Sequence, residues 1–187
     1  MPQKDSHLKD DLKKMYNNVR VRNIRGLRDV SNIFTQDLLI FRDPVYLDLA
    51  LVSLVLAKMI EKPRFWRYEQ WKDILFSIEE NLRQSLACAE RNDLKGISRN
   101  VKSILSKLSD VEQQDRRYVD SVVMQVRVKI GSTLYGQGLS LGMASSLCGA
   151  SRDDILRYSG RTLISDRFGK TFSIKERLSN VAGIFRD

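Results

Sequence analysis

The sequence has few of the residues from which enzyme active sites and metal centres are usually built. Its 187 residues include one histidine, His7, and two distant cysteines, Cys88 and Cys148. A single histidine in a polar segment argues against His-based triads and paired-histidine zinc sites. The cysteines lack metal-ligand spacing and indicate reduced core thiols in a reducing compartment. No G-x-x-x-x-G-K-[ST] pattern occurs. We therefore predict a protein that is not an enzyme and that uses no metal and no cofactor.

Long apolar runs are also scarce. The N-terminus, MPQKDSHLKDDLKK, is charged and lacks the apolar region of a signal peptide. The most hydrophobic run, Val45 to Ile60, contains Asp48 and is shorter than the roughly 20 residues that cross a bilayer. We expect a cytoplasmic protein without a membrane partner.

Three prolines and ten glycines leave room for long helices, and apolar residues recur at helical spacing. The pattern predicts an all-α protein, a helical bundle with a C-terminal helix-turn-helix-like unit. Asp43-Pro44 marks the start of a buried helix that ends before Pro63. Further helices are predicted over 93–108 and from 110 to 130. We see no internal repeat.

Three segments are predicted along the chain. Residues 1–29 form a basic helix or exposed arm, 30–135 form the bundle body, and 136–187 form the C-terminal unit. The glycines of Gly136-Gln137-Gly138 predict a hinge into that unit. A capping box at Ser173 and Glu176 opens a last helix. The body is available for dimerisation, so a homodimer is possible.

Basic residues are concentrated at the two ends. Lys and Arg total 32 against 23 acidic residues, a net charge of +9. Residues 1–30 carry a net +4 (eight basic, four acidic) and 141–187 a net +3 (eight basic, five acidic). The excess favours polyanionic partners, although a basic solvated exterior explains the total charge equally well.

The segment 141–160, LGMASSLCGASRDDILRYSG, has the spacing of two helices joined by a tight turn. Ala144 and Ser145 are small, and Gly149 suits a left-handed turn conformation. Ser151 can cap the second helix. The inward-facing positions are predicted to be Leu147, Cys148, Ile155 and Tyr158.

This segment resembles the helix-turn-helix family of DNA-binding motifs, because A-S-S-L-C-G-A-S is similar to the A-A-E-L-L-G-V-S pattern of many regulators and small antitoxins. The resemblance covers about twenty residues. The stretch 139–185 is also similar to uncharacterised archaeal helical proteins, which assigns no activity.

The helix-turn-helix resemblance implies that the second helix lies in the major groove. It exposes Ser151, Arg152, Asp153, Leu156 and Arg157, of which Arg152 and Arg157 are placed to contact guanine edges or phosphates. Arg161, Arg167 and Lys170 would hold the DNA backbone. The arginines at 20, 22 and 25 (Arg20, Arg22, Arg25) would form a second phosphate clamp or enter a minor groove.

Two features oppose this interpretation. Asp153 and Asp154 favour a helix N-terminus but repel phosphates, and Leu156 would be an exposed apolar residue. The alternatives are a protein-interaction adaptor that uses the same unit, and RNA binding through the basic ends without sequence preference. A segment of interleaved aromatic and basic residues, 64–71, allows base stacking. Its place after Pro63 between two core helices instead favours a core edge or an interface. It contains Arg64, Phe65, Trp66, Arg67, Tyr68 and Trp71.

Overall fold

The computed structural model describes residues 2–67, 69–114 and 121–162, and gives the backbone alone at 2–6, 64, 112–114 and 162. Within these ranges the regular structure is entirely α-helical, which confirms the predicted all-α bundle. The helices are α1 (Pro2–Arg20), α2 (Ile24–Phe41), α3 (Pro44–Glu61), α4 (Pro63–Trp66), α5 (Trp71–Glu90), α6 (Leu94–Gln114), α7 (Val122–Gly136), α8 (Leu141–Cys148) and α9 (Arg152–Thr162).

The chain divides into two compact units, Met1–Val126 (the bundle unit) and Arg127–Asp187 (the C-terminal unit). The division falls inside α7 and not at the glycines near 136. Gly136 ends α7, and the Gly138 N–H donates to Tyr135 O at 3.0 Å in a turn toward α8. The predicted hinge is thus a hydrogen-bonded turn within the C-terminal unit. The capping box at 173–176 and its helix lie outside the described residues.

Five helices of the bundle unit close into a ring in the order α1, α2, α3, α6 and α5, with α5 packed against α1. Helix α3 begins as predicted, because the Asp43 side chain accepts a hydrogen bond from Val45 N at 3.1 Å and Pro44 occupies the first turn. Nearly all of α3 is buried between α2 and α6.

Helix α1 is a member of this ring and not an exposed arm. Its polar composition hides an apolar stripe at three- and four-residue steps, and α1 packs through it against α2 and α5. The stripe is fully buried and consists of Leu8, Leu12, Met15 and Val19. The predicted break near 109 is also wrong, since α6 continues to Gln114. Residues 122–130 are helical in α7, as predicted.

The hairpins α1–α2 and α5–α6 repeat one another, contrary to our expectation that the chain has no repeat. Arg22 and Asn92 both adopt the left-handed conformation, with φ of 54° and 56°. The next residue caps the following helix in each hairpin. Asn23 accepts from Gly26 N at 3.0 Å and Asp93 accepts from Gly96 N at 2.9 Å. The turn between α1 and α2 thus matches the turn between α5 and α6, which lies 70 residues later in the chain.

Burial follows the same correspondence. Side chains at matching positions of the two hairpins are buried, so both present the same face to the bundle core. The buried pairs are Leu8 and Ile78, Leu12 and Leu82, Met15 and Ser85, Val19 and Ala89, Leu27 and Ile97, Ser31 and Val101, Phe34 and Ile104, and Leu38 and Leu108.

Candidate nucleic-acid interface

The core of the C-terminal unit joins α7, α8 and α9. Cys148 of α8 and Ile155 of α9 are fully buried against Gly131 of α7. A Cβ on Gly131 would lie 2.6 Å from Cys148 Sγ and 2.8 Å from Ile155 Cδ1, so only glycine permits this spacing. The Ser132 hydroxyl adds a hydrogen bond to Ile155 O at 3.0 Å. These contacts fix α9 against α7 and α8.

The turn between α8 and α9 is held from three sides. Gly149 has φ of 68°, and its N–H donates to Ser145 O at 2.9 Å. The Ser145 hydroxyl crosses the turn to Ala150 O at 2.7 Å. Arg127 of α7 donates through Nη1 to Cys148 O at 2.8 Å and satisfies a carbonyl that the end of α8 leaves free. The turn geometry matches the predicted role of Gly149, whereas the role of Arg127 was not predicted.

At the start of α9, one of the two aspartates forms part of the helix cap. Ser151 Oγ accepts from Asp154 N at 3.1 Å and donates to Asp154 Oδ2 at 2.6 Å. Ser151 thus caps α9 through its hydroxyl, and Asp154 holds that hydroxyl in place. Both aspartates are exposed, and Asp154 keeps its negative charge because its hydrogen-bond donor is a neutral hydroxyl.

The exposed face of α9 carries the predicted contact residues. While Ile155 and Ser159 are buried, the side chains opposite them are exposed. The predicted residues that are exposed are Ser151, Arg152, Asp153, Leu156, Arg157 and Arg161, and Asp154 is exposed beside them. Both aspartates repel phosphates, and Asp153 lies one helical turn before Arg157. Arg167 and Lys170 lie outside the described residues.

Two of the predicted inward positions are wrong. Leu147 is 38% exposed, because the inner face of α8 is set by Ala144 and Cys148, and Leu147 lies about 100° away from Cys148. Tyr158 is half-buried, and Ser159 occupies the buried position instead.

The N-terminal arginines belong to the bundle unit. Arg20 ends α1 with its guanidinium 5.7 Å from the centre of the Tyr16 ring, and Arg22 lies in the turn with its guanidinium 4.6 Å from the centre of the Trp66 ring. Arg25 is exposed in the first turn of α2.

The aromatic segment after Pro63 is divided between core and surface. Phe65 and Trp71 are buried with ring centres 5.8 Å apart, which agrees with the predicted core edge. Trp66 is 43% exposed. Tyr68 and the side chain of Arg64 lie outside the described residues.

Burial raises the pKa of the Cys148 thiol, which therefore stays protonated in the core and is a packing residue. Within the described ranges, no group of three or more His, Cys, Asp or Glu side chains is placed to hold a metal ion. No helix in the same ranges is both long and apolar enough to cross a membrane.

Comparisons with protein-family models, with curated proteins and with solved structures found no match to this chain.

Proposed function

We propose that the protein binds duplex DNA through its C-terminal unit, as a transcriptional regulator or an antitoxin-like factor, and that α9 enters the major groove. The observation that carries this proposal is the division of α9 into two faces. Ile155 and Ser159 are buried in the unit, while Arg152, Arg157 and Arg161 remain exposed. A helix fixed by its inner face and basic on its outer face suits docking into a groove lined by phosphates.

The details of α9 support the same orientation. The N-terminal residues of a groove-binding helix approach base edges, and Ser151, Arg152 and Asp153 occupy that end of α9. Arg157 and Arg161 are one turn apart and suit phosphate oxygens or guanine edges. Leu156 is 44% exposed and offers an apolar contact to a thymine methyl group.

A salt titration of duplex binding tests the proposal. For a mixed pool of duplexes, the logarithm of the binding constant should fall linearly with the logarithm of the salt concentration. The expected slope is about −0.9 per phosphate contacted. Arg157→Ala should weaken binding and reduce that slope by about one unit. Arg152→Ala should also relax sequence preference by about 1–3 kcal/mol at one base pair.

The matched control is Arg99→Ala, which removes the same charge from an exposed position on α6. If Arg99→Ala weakens duplex binding as much as Arg157→Ala does, the effect comes from net charge and α9 is not the interface.

A protein-interaction adaptor is the second candidate, and one observation favours it. Met143 and Leu147 lie one turn apart on α8 and are 43% and 38% exposed. Apolar side chains exposed together on a helix are typical of a surface that docks another protein. Met143→Gln combined with Leu147→Gln should leave duplex binding intact if DNA is the ligand of α9, and should abolish partner binding if the adaptor function holds.

A further inference from the structure

We propose a second binding site, on the bundle unit, for single-stranded nucleic acid. It is formed by Tyr16, Arg20, Arg22, Arg25 and Trp66, which we call the arginine–tryptophan site. The proposal does not rest on the function of α9, because every residue of this site belongs to the bundle unit.

The centre of the site is the pair Arg22 and Trp66. The Arg22 guanidinium lies 4.6 Å from the centre of the indole ring. Trp66 Nε1 donates to Ile60 O at 2.8 Å, which fixes the orientation of the ring. Both side chains remain exposed. The guanidinium covers one face of the fixed indole ring. Such a guanidinium–indole pair can stack an unpaired base on its open planar surface and hold the adjoining phosphate through the guanidinium charge.

Arg20 extends the same chemistry along the surface, with its guanidinium over Tyr16 at 5.7 Å. Arg25 adds an exposed cation in the first turn of α2. Nearby Arg28 is engaged with Glu61 at 2.6 Å and is left out of the site. Because a duplex buries the faces of its bases, the exposed ring of Trp66 favours an unpaired strand over a duplex.

The repeated hairpin shows that the fold does not require these arginines. At the matching positions of the second hairpin, Glu90 replaces Arg20 and Asn92 replaces Arg22. Arg22 and Asn92 both have positive φ, which arginine adopts rarely and asparagine readily. The first hairpin therefore carries arginine where the backbone favours asparagine, so asparagine can replace Arg22 without straining the turn.

Arg22→Asn is the informative variant, because it copies the second hairpin and removes the guanidinium without straining the turn. We expect an unfolding temperature no lower than that of the unmodified protein and at least about fivefold weaker binding to short oligouridylate and oligothymidylate strands. Trp66→Ala should weaken binding about 5- to 100-fold. Comparison of the two strands distinguishes RNA from DNA as the source of the ligand.

Trp66→Phe keeps a stacking ring and protects the test against misfolding of Trp66→Ala. It should retain most of the affinity but lose the quenching of tryptophan fluorescence on binding, because the other tryptophan, Trp71, is 2% exposed. The matched control is Lys95→Ala, at the position in the second hairpin that corresponds to Arg25. It should bind single strands like the unmodified protein.

An abasic strand of equal length supplies phosphates without bases and should bind at least about fivefold more weakly than oligothymidylate. Equal binding of the two strands would overturn the proposal, as would unchanged binding by Arg22→Asn and Trp66→Ala. Arg157→Ala, which leaves this site intact, should bind single strands normally. If Arg157→Ala loses only duplex binding and Arg22→Asn loses only single-strand binding, the two variants report separate sites.

Discussion

Gly131 of α7 lies so close to Ile155 of α9 that a methyl group on the glycine would be 2.8 Å from Ile155 Cδ1. Cys148 closes the same space from α8, at 2.6 Å from the methyl position. The three described helices of the C-terminal unit thus meet at a position without a side chain, and α9 packs this close to α7 because that position is glycine.

Gly131→Ala is expected to destabilise the C-terminal unit. Overpacking a core by one methyl group costs about 1–3 kcal/mol, and the better helix propensity of alanine returns about 1 kcal/mol. Thermal or urea unfolding followed by circular dichroism measures the net loss.

The control is Gly160→Ala in α9, where the new methyl group has no neighbour within 4 Å. It gains helix propensity without a clash and should be more stable by up to about 1 kcal/mol. Equal effects of the two substitutions would show that α7 and α9 are not closely packed.

Asp153→Asn should strengthen duplex binding. Asp153 is exposed beside Arg152 on the outer face of α9, and loss of its charge removes repulsion from phosphates. A several-fold gain at low salt that disappears at high salt is expected. Fluorescence anisotropy at two salt concentrations measures it.

Asp154→Asn is the matched substitution, one residue along. Asp154 accepts from Ser151 Oγ at 2.6 Å, so this change weakens the cap of α9 and should lower stability. A larger gain in DNA binding from Asp154→Asn than from Asp153→Asn would contradict the orientation proposed for α9.

The sequence predicted those parts of the fold that local chemistry determines. The start of α3 at Asp43-Pro44 and the turn at Gly149 follow from cap and turn preferences, which act within a few residues. The exposed residues of α9 agree with those that the helix-turn-helix resemblance implied.

The parts that were missed depend on residues far apart in the chain. The unit boundary inside α7 follows from contacts such as Arg127 with Cys148 O, which no local pattern indicates. Arg22 meets Trp66 only because α1, α2 and α3 fold together. The repeat was hidden because the hairpins share caps and buried positions but differ in charge, as Arg20 and Glu90 illustrate.

Ser151→Ala is expected to destabilise α9 by about 1 kcal/mol, since it removes the cap at its N-terminus. Ser140→Ala removes the equivalent cap of α8, where Ser140 Oγ accepts from Met143 N at 3.2 Å. Ser140 makes no bond of the kind that joins Ser151 to Asp154 in the described structure, so Ser151→Ala should be the more destabilising change. Parallel urea titrations rank the two. The reverse order would mean that the bond between Ser151 and Asp154 adds little to the cap of α9.

Asp37→Asn should stabilise the bundle unit at neutral pH by on the order of 1 kcal/mol, because Asp37 Oδ2 is buried and no described residue gives it a hydrogen bond. Burial, reinforced by the charge of Asp11, raises the pKa of Asp37 above its usual value of 3.8. The folded protein therefore binds the proton more tightly than the unfolded chain, and stability falls as pH rises from about 3.8 through the higher folded pKa. The gain from Asp37→Asn should accordingly appear across that window, level off above it and vanish in more acidic solution.

Urea unfolding at a series of pH values measures the gain in stability. The control is Asp10→Asn, which changes an exposed aspartate on α1. A gain that persists below pH 3.8, or that is equal in Asp10→Asn, would show that the buried charge of Asp37 is not its cause.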